Sequence, residues 1–95
     1  MATFIVQGTV IETIAGNLGI RVANADALKR WWGAHHVDTK LDWFDDGLPV
    51  VSINRKAHIA QCKPGDVVEL TIFTSDRSNG KRGITTQTMK ILAIS

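Results

Sequence analysis

What this chain lacks narrows it first. Cys62 is the only cysteine, so no disulfide can form within the chain, and a reducing cytoplasm suits it. No apolar run approaches the roughly 18 residues that would suggest a membrane span, so no membrane contact is expected. The opening "MATFIVQGTV" has no basic start and turns polar too early for a secretory signal. There is no Gly-x-Ser-x-Gly or phosphate-loop pattern, so an enzyme is not expected. Tyrosine is absent, which leaves the three tryptophans as an uncluttered fluorescence signal. No repeat, linker or low-complexity tract is found.

What is present fits one small domain over residues 1–95. A chain this short buries only about 60–65% of its unfolded surface, so its core is thin. Hydrophobic residues at 44% and charged residues at 21% are ordinary globular values. The net charge of +2 hides an asymmetry. The stretch "DTKLDWFDD", 38–46, carries four acids and one lysine, and the rest of the chain holds ten basic against five acidic residues. From Arg55 onward there are seven basic and three acidic residues. This segregation is the footprint of a polyanion-binding face, or else ordinary solvated charge.

Hydropathy alternates with period two in "FIVQGTVIETI". Phe4, Val6, Gly8, Val10 and Ile14 share one side, and Gln7, Thr9 and Thr13 the other. Gly16–Asn17 supplies a turn, and Leu18, Ile20 and Val22 resume the inward set with Arg21 outward. "NADALKRWWGAHH" predicts a short helix near residues 25–35, capped by Asn24 or Asp26. Leu28, Trp31 and Trp32 form its apolar stripe, and Gly33 stops it. Further strands are expected over Leu48–Ile53, after the Pro64–Gly65 turn, and from Ile84 onward. Val68, Leu70 and Ile72 point opposite to Glu69, Thr71 and Phe73. In the last strand Ile84, Thr86, Thr88 and Lys90 stand opposite Thr85, Gln87, Met89 and Ile91. The expected fold class is mainly β, a small five-stranded barrel with an inserted helix, because closure removes exposed edges.

Two segments resemble bacterial translation initiation factor one, an S1-type OB-fold. "VQGTVIET" with "IRV" resembles its opening hairpin, and "RKAHI" with "GDVVELTIFTSDRSNGKRGI" resembles its later half. Together they cover under half of the chain. Forty-two residues, Ala23 to Pro64, separate them, and hold a helix and an acidic stretch that the factor lacks. The resemblance implies an OB-fold relative adapted to another partner, one that binds single-stranded DNA or RNA largely without base specificity. Carried over by position, the binding face would hold Arg21, Arg55, Lys56 and His58, with Lys81 and Arg82 in the loop before the last strand.

Cations on phosphates and rings under bases are the chemistry of such a surface. Phe73, outward by parity, is a stacking candidate, and Lys29 and Arg30 beside Trp31 add a second basic and aromatic cluster. Trp31–Trp32 and Trp43–Phe44 are adjacent pairs, so one member of each is expected to pack inward. The acids beside Trp43 and Phe44 favour a protein contact or self-association there, the rival use of the domain, or a charge that mimics or fences off nucleic acid. No metal or other cofactor is expected. His35, His36 and Asp38, and the pair His58 and Cys62, match no ligand pattern.

Overall fold

The computed structural model describes residues 2–13, 16–44 and 46–95. The alternation in the first segment produces β1, Thr3–Glu12, which pairs antiparallel with β2, Leu18–Val22. Val6, Val10, Ile20 and Val22 are buried on one side, as their spacing predicts; Ile14 lies outside the described residues. Helix α1, Ala25–Ala34, follows at once. It buries Ala25 and Leu28 and runs through Gly33, ending at His35 and His36, the latter at φ 51°.

Asn24 stands at the helix start, yet its side chain serves the sheet. Its Oδ1 accepts from Gln7 N at 3.0 Å and its Nδ2 donates to Ile5 O at 2.9 Å. With Ala23 N donating to Gln7 O, it extends the β1 ladder past the point where β2 departs. A side-chain amide has the donor and acceptor of a peptide, which explains the substitution.

After α1 come β3, Asp42–Trp43, and β4, Pro49–Ser52, then the one-turn helix α2, Lys56–Ile59. Two long strands finish the fold: β5, Val67–Asp76, and β6, Arg82–Ala93. Among the described residues six strands form one antiparallel sheet in the order β3-β4-β2-β1-β5-β6. The protein is therefore mainly β, but the sheet has six strands rather than five and is not a closed barrel. The reason is local. β4 is four residues long, and β3 occupies the edge that a closing strand would need. Arg55, three residues after β4, reaches across to β6, its Nη1 donating to Gln87 O at 3.3 Å.

Gln87 is where strict alternation fails. The register passes from Thr71 opposite Thr88 to Ile72 opposite Thr86, which leaves Gln87 out as a bulge. Residues of opposite parity on its two sides therefore share a face. Ile84 and Met89, expected on opposite sides, both pack against the core, as does Ile91.

The core is a single cluster on one face of the sheet, closed by Leu28 of α1 and edged by Phe4, Trp31 and Trp32. Gly8 lies where β1 and β2 approach most closely: a Cβ there would sit 2.0 Å from Arg21 O. Asp66 ties the β5 turn to the chain's last described residue. Its carboxylate accepts from Ser95 N at 3.1 Å and Lys63 N at 3.0 Å, and these bonds, Ser95 first, hold its pKa below the ordinary value.

Gly8→Ala should therefore destabilise the protein by about 1–3 kcal/mol in urea unfolding, since backbone must move to admit the methyl. Asp66 makes the second test. A carboxylate whose folded pKa is depressed adds stability above its unfolded pKa, 3.8, and loses that contribution as pH falls through the folded value. Acid unfolding of Asp66→Asn should thus show a flatter stability profile below pH 3.8 than the wild type.

Candidate nucleic-acid interface

The sheet sorts the predicted cations into three places. The first is the start of β6. Arg82 Nε meets Asp76 Oδ1 at 3.2 Å and its Nη1 donates to His35 O at 2.8 Å. Its backbone is clamped by Asp38, whose Oδ2 accepts from Arg82 N at 2.6 Å and whose N donates to Arg82 O. Arg82 is thus the first residue of a strand and not a loop residue. With Phe73, His35 and Ser75 it lines a depression of ≈ 670 Å³. Phe73 is half-buried on the face away from Ile72, so its ring is neither in the core nor free of cover. Lys81, one residue away, is exposed.

The second place is the middle of β6. Arg55 and Lys56 are both exposed, and Arg55 reaches the Gln87 carbonyl with one of its five guanidinium N–H groups. Lys81, just before β6, and Arg82 and Arg55 along it therefore lie near one strand, while exposed Lys90, about 30 Å from Lys81, stands opposite Glu69 on the other face from Arg82. Lys90 was legible only as an alternating position. Its face depends on the pairing of β6. His58 does not join this basic group: the residue is 8% exposed, and Nδ1 is without a partner among the described residues. Burial takes it off the accessible face. Cys62 Sγ, 3.4 Å from His58 O, is a thiol pushed up in pKa by burial, then by Asp66.

The third place is the outer side of β2 and β3. Arg21 sits 5.9 Å over the Phe44 ring and donates Nε to Asp46 Oδ2 at 2.6 Å. Lys29 Nζ lies 5.0 Å over the Trp43 ring. Both rings are exposed, so neither member of that pair packs inward. The opposite holds on α1, where Trp31 and Trp32 both pack on the core. Trp31 packs at a tilt between Phe4, at 5.5 Å, and His35, at 5.3 Å, the latter a lining residue of the Phe73 depression. Trp32 donates Nε1 to Thr39 O at 2.9 Å. Arg30 is exposed and has no ion-pair partner among the described residues. One α-helical turn explains the outcome: i+3 and i+4 from Leu28 both fall on its stripe.

Among the described residues no three His, Cys, Asp or Glu side chains converge on a point that could hold a metal ion. No helix is long and apolar enough to cross a membrane, again among the described residues. No family model matches the chain, and no curated protein or solved structure matches it.

Asp46 offers a direct probe of the Arg21 site. The Leu48 amide, then Arg21, lower its pKa below 3.8 against a partial opposing effect of desolvation. In an NMR titration the Leu48 amide should shift with a midpoint below that value, and Arg21→Gln should move the midpoint upward.

Proposed function

We propose that this protein binds single-stranded nucleic acid, DNA or RNA, along β6, largely without base specificity. The observation that carries the reading is the Arg55–Gln87 contact, because it brings Arg55, with Lys56 next in sequence, to the strand that Arg82 begins and Lys81 precedes. Phosphates would run along that strip. The Phe73 depression at its end accepts a base against a ring, with Arg82 beside it for the adjoining phosphate. Aromatic stacking contributes about 1–3 kcal/mol per base and tolerates any sequence, while the cations respond to charge alone. The ring should therefore matter more than any one lysine.

The strand order β4-β2-β1-β5-β6, with the Arg55 bridge, supports reading the sheet as an OB-type barrel left short of closure, with β3 and α1 as its insertion. That is the fold implied by the resemblance to translation initiation factor one. The placement differs from what that resemblance implies, however. Arg21 is engaged by Asp46, so the proposed path follows β6 and not the outer face of β2 and β4. The function proposed is binding without catalysis, in the cytoplasm.

A tryptophan-fluorescence titration with oligo-dT and oligo-U checks this. Affinity should fall with salt at a slope in log–log form of about −3 for four phosphate contacts. Phe73→Ala should weaken binding by about 1–3 kcal/mol at every salt concentration. Binding that ignores salt, or none to a long oligonucleotide at low salt, overturns the proposal.

A further inference from the structure

The groove beside Trp43 and the turn between β5 and β6 lie at opposite ends of the molecule. Thr3 pairs with Phe73, and Glu12 pairs with Leu18, so the length of β1 separates the two ends by about 30 Å in a body 38 Å long. They also differ in charge. The groove, ≈ 590 Å³, has Ile11 and Val50 as apolar floor and Glu12 and Asp42 at its margin. Neither acid is in an ion pair among the described residues. Trp43 and Phe44 stand over it at 54% and 38% exposure, more than a thin core would leave without a use. The two cations nearby are already engaged, Lys29 on Trp43 and Arg21 on Phe44 and Asp46.

The turn at the other end is a basic knob. Residues 77–81 are all exposed. Arg77 N bonds Lys81 O at 2.8 Å, Gly80 N bonds Arg77 O at 3.0 Å, and Asn79 Oδ1 accepts from Lys81 N at 3.0 Å. These bonds pre-set its shape, so docking it orders little chain. Lys81 has no ion-pair partner among the described residues; Arg77 has none either, but its guanidinium lies over Gly83 and donates Nη2 to Ile84 O at 3.4 Å, which leaves Lys81 as the free cation of the knob among those residues.

We propose that the groove beside Trp43 receives the Arg77–Lys81 turn of a second copy of this chain. The charges complement each other, and a Lys or Arg seated on Trp43 repeats the cation–ring contact that Lys29 makes within the chain. A nucleic-acid strand fits this groove worse, because its unpaired charges are acidic. Two different surfaces meet, so the contact is heterologous and copies add in line. Arg82, on β6, and Arg55 and Lys56 beside it stay accessible, while a docked Lys81 no longer meets a phosphate. On a strand bound as proposed above, such a contact makes coverage cooperative; that consequence alone rests on the preceding reading.

Sedimentation velocity of the full chain without nucleic acid tests the contact. The wild type should self-associate at submillimolar concentration and low salt, and dissociate as salt rises. Trp43→Ala should weaken association about 30-fold, the loss expected of an interface hot spot. Asp42→Lys and Lys81→Glu should each sediment as monomers, and their equimolar mixture should associate again, because each copy then faces the opposite charge. A wild type that stays monomeric overturns the proposal. So does a mixture that fails to associate, or an assembly that ignores both charge reversals. If Trp43→Ala weakens oligo-dT binding with no assembly present, the groove holds a base and the proposal also fails. Loss of oligonucleotide binding with assembly intact would instead count against β6 as the nucleic-acid path.

Discussion

A sheet with one apolar face must cover that face, and here little besides the sheet is available to do so. α1 contributes Leu28 and the inner sides of Trp31 and Trp32, and the remaining cover comes from strands curling over the same cluster of valines, isoleucines and leucines. Each such side chain contributes roughly 1.5–3 kcal/mol when fully buried, against a conformational cost that a small domain barely offsets. Close strand approach is therefore required, and Gly8 beneath the Arg21 carbonyl permits it. Both candidate binding surfaces are by-products of this curl, which leaves β6 as a long flank and pushes β3 outward as a lip.

The curl stops short of closure, and this determines where charge collects. Because β3 takes the open edge of β4, β6 has no strand partner on its outer side among the described residues. A polar, cation-lined edge of this kind resists unwanted strand addition while remaining open to a charged ligand. The Gln87 bulge frees a carbonyl for Arg55, so an irregularity in the ladder also brings a basic pair into line. The acidic stretch, in turn, is divided between two duties. Asp38 holds the backbone of Arg82, while Asp46 holds the guanidinium of Arg21. Only Asp42 of its described acids is left facing a groove without either kind of engagement.

Much of this was legible along the chain. Period-two alternation located β1, β2 and β5 and their buried side chains, and the stripe of Leu28, Trp31 and Trp32 located α1. These patterns are visible because each element needs one continuous apolar side and shows it residue by residue. The basic second half was equally plain, and so was the segregation of the acids. Less visible were the two-residue strand β3 and the single turn α2, which are too short to set up a period.

Sequence alone thus determined the mainly β class of fold, the inward set of β1, β2 and β5 and the sign of charge in each segment, since all three are properties of local order along the chain. Only the tertiary structure decided which cations are neighbours. Arg55 reaches the strand that Arg82 begins through a bulge whose position depends on pairing between strands, Arg21 loses its independence to an aspartate 25 residues away, and His58 is enclosed by packing. Such placements arise from contacts between distant residues, and no window along the chain contains both partners.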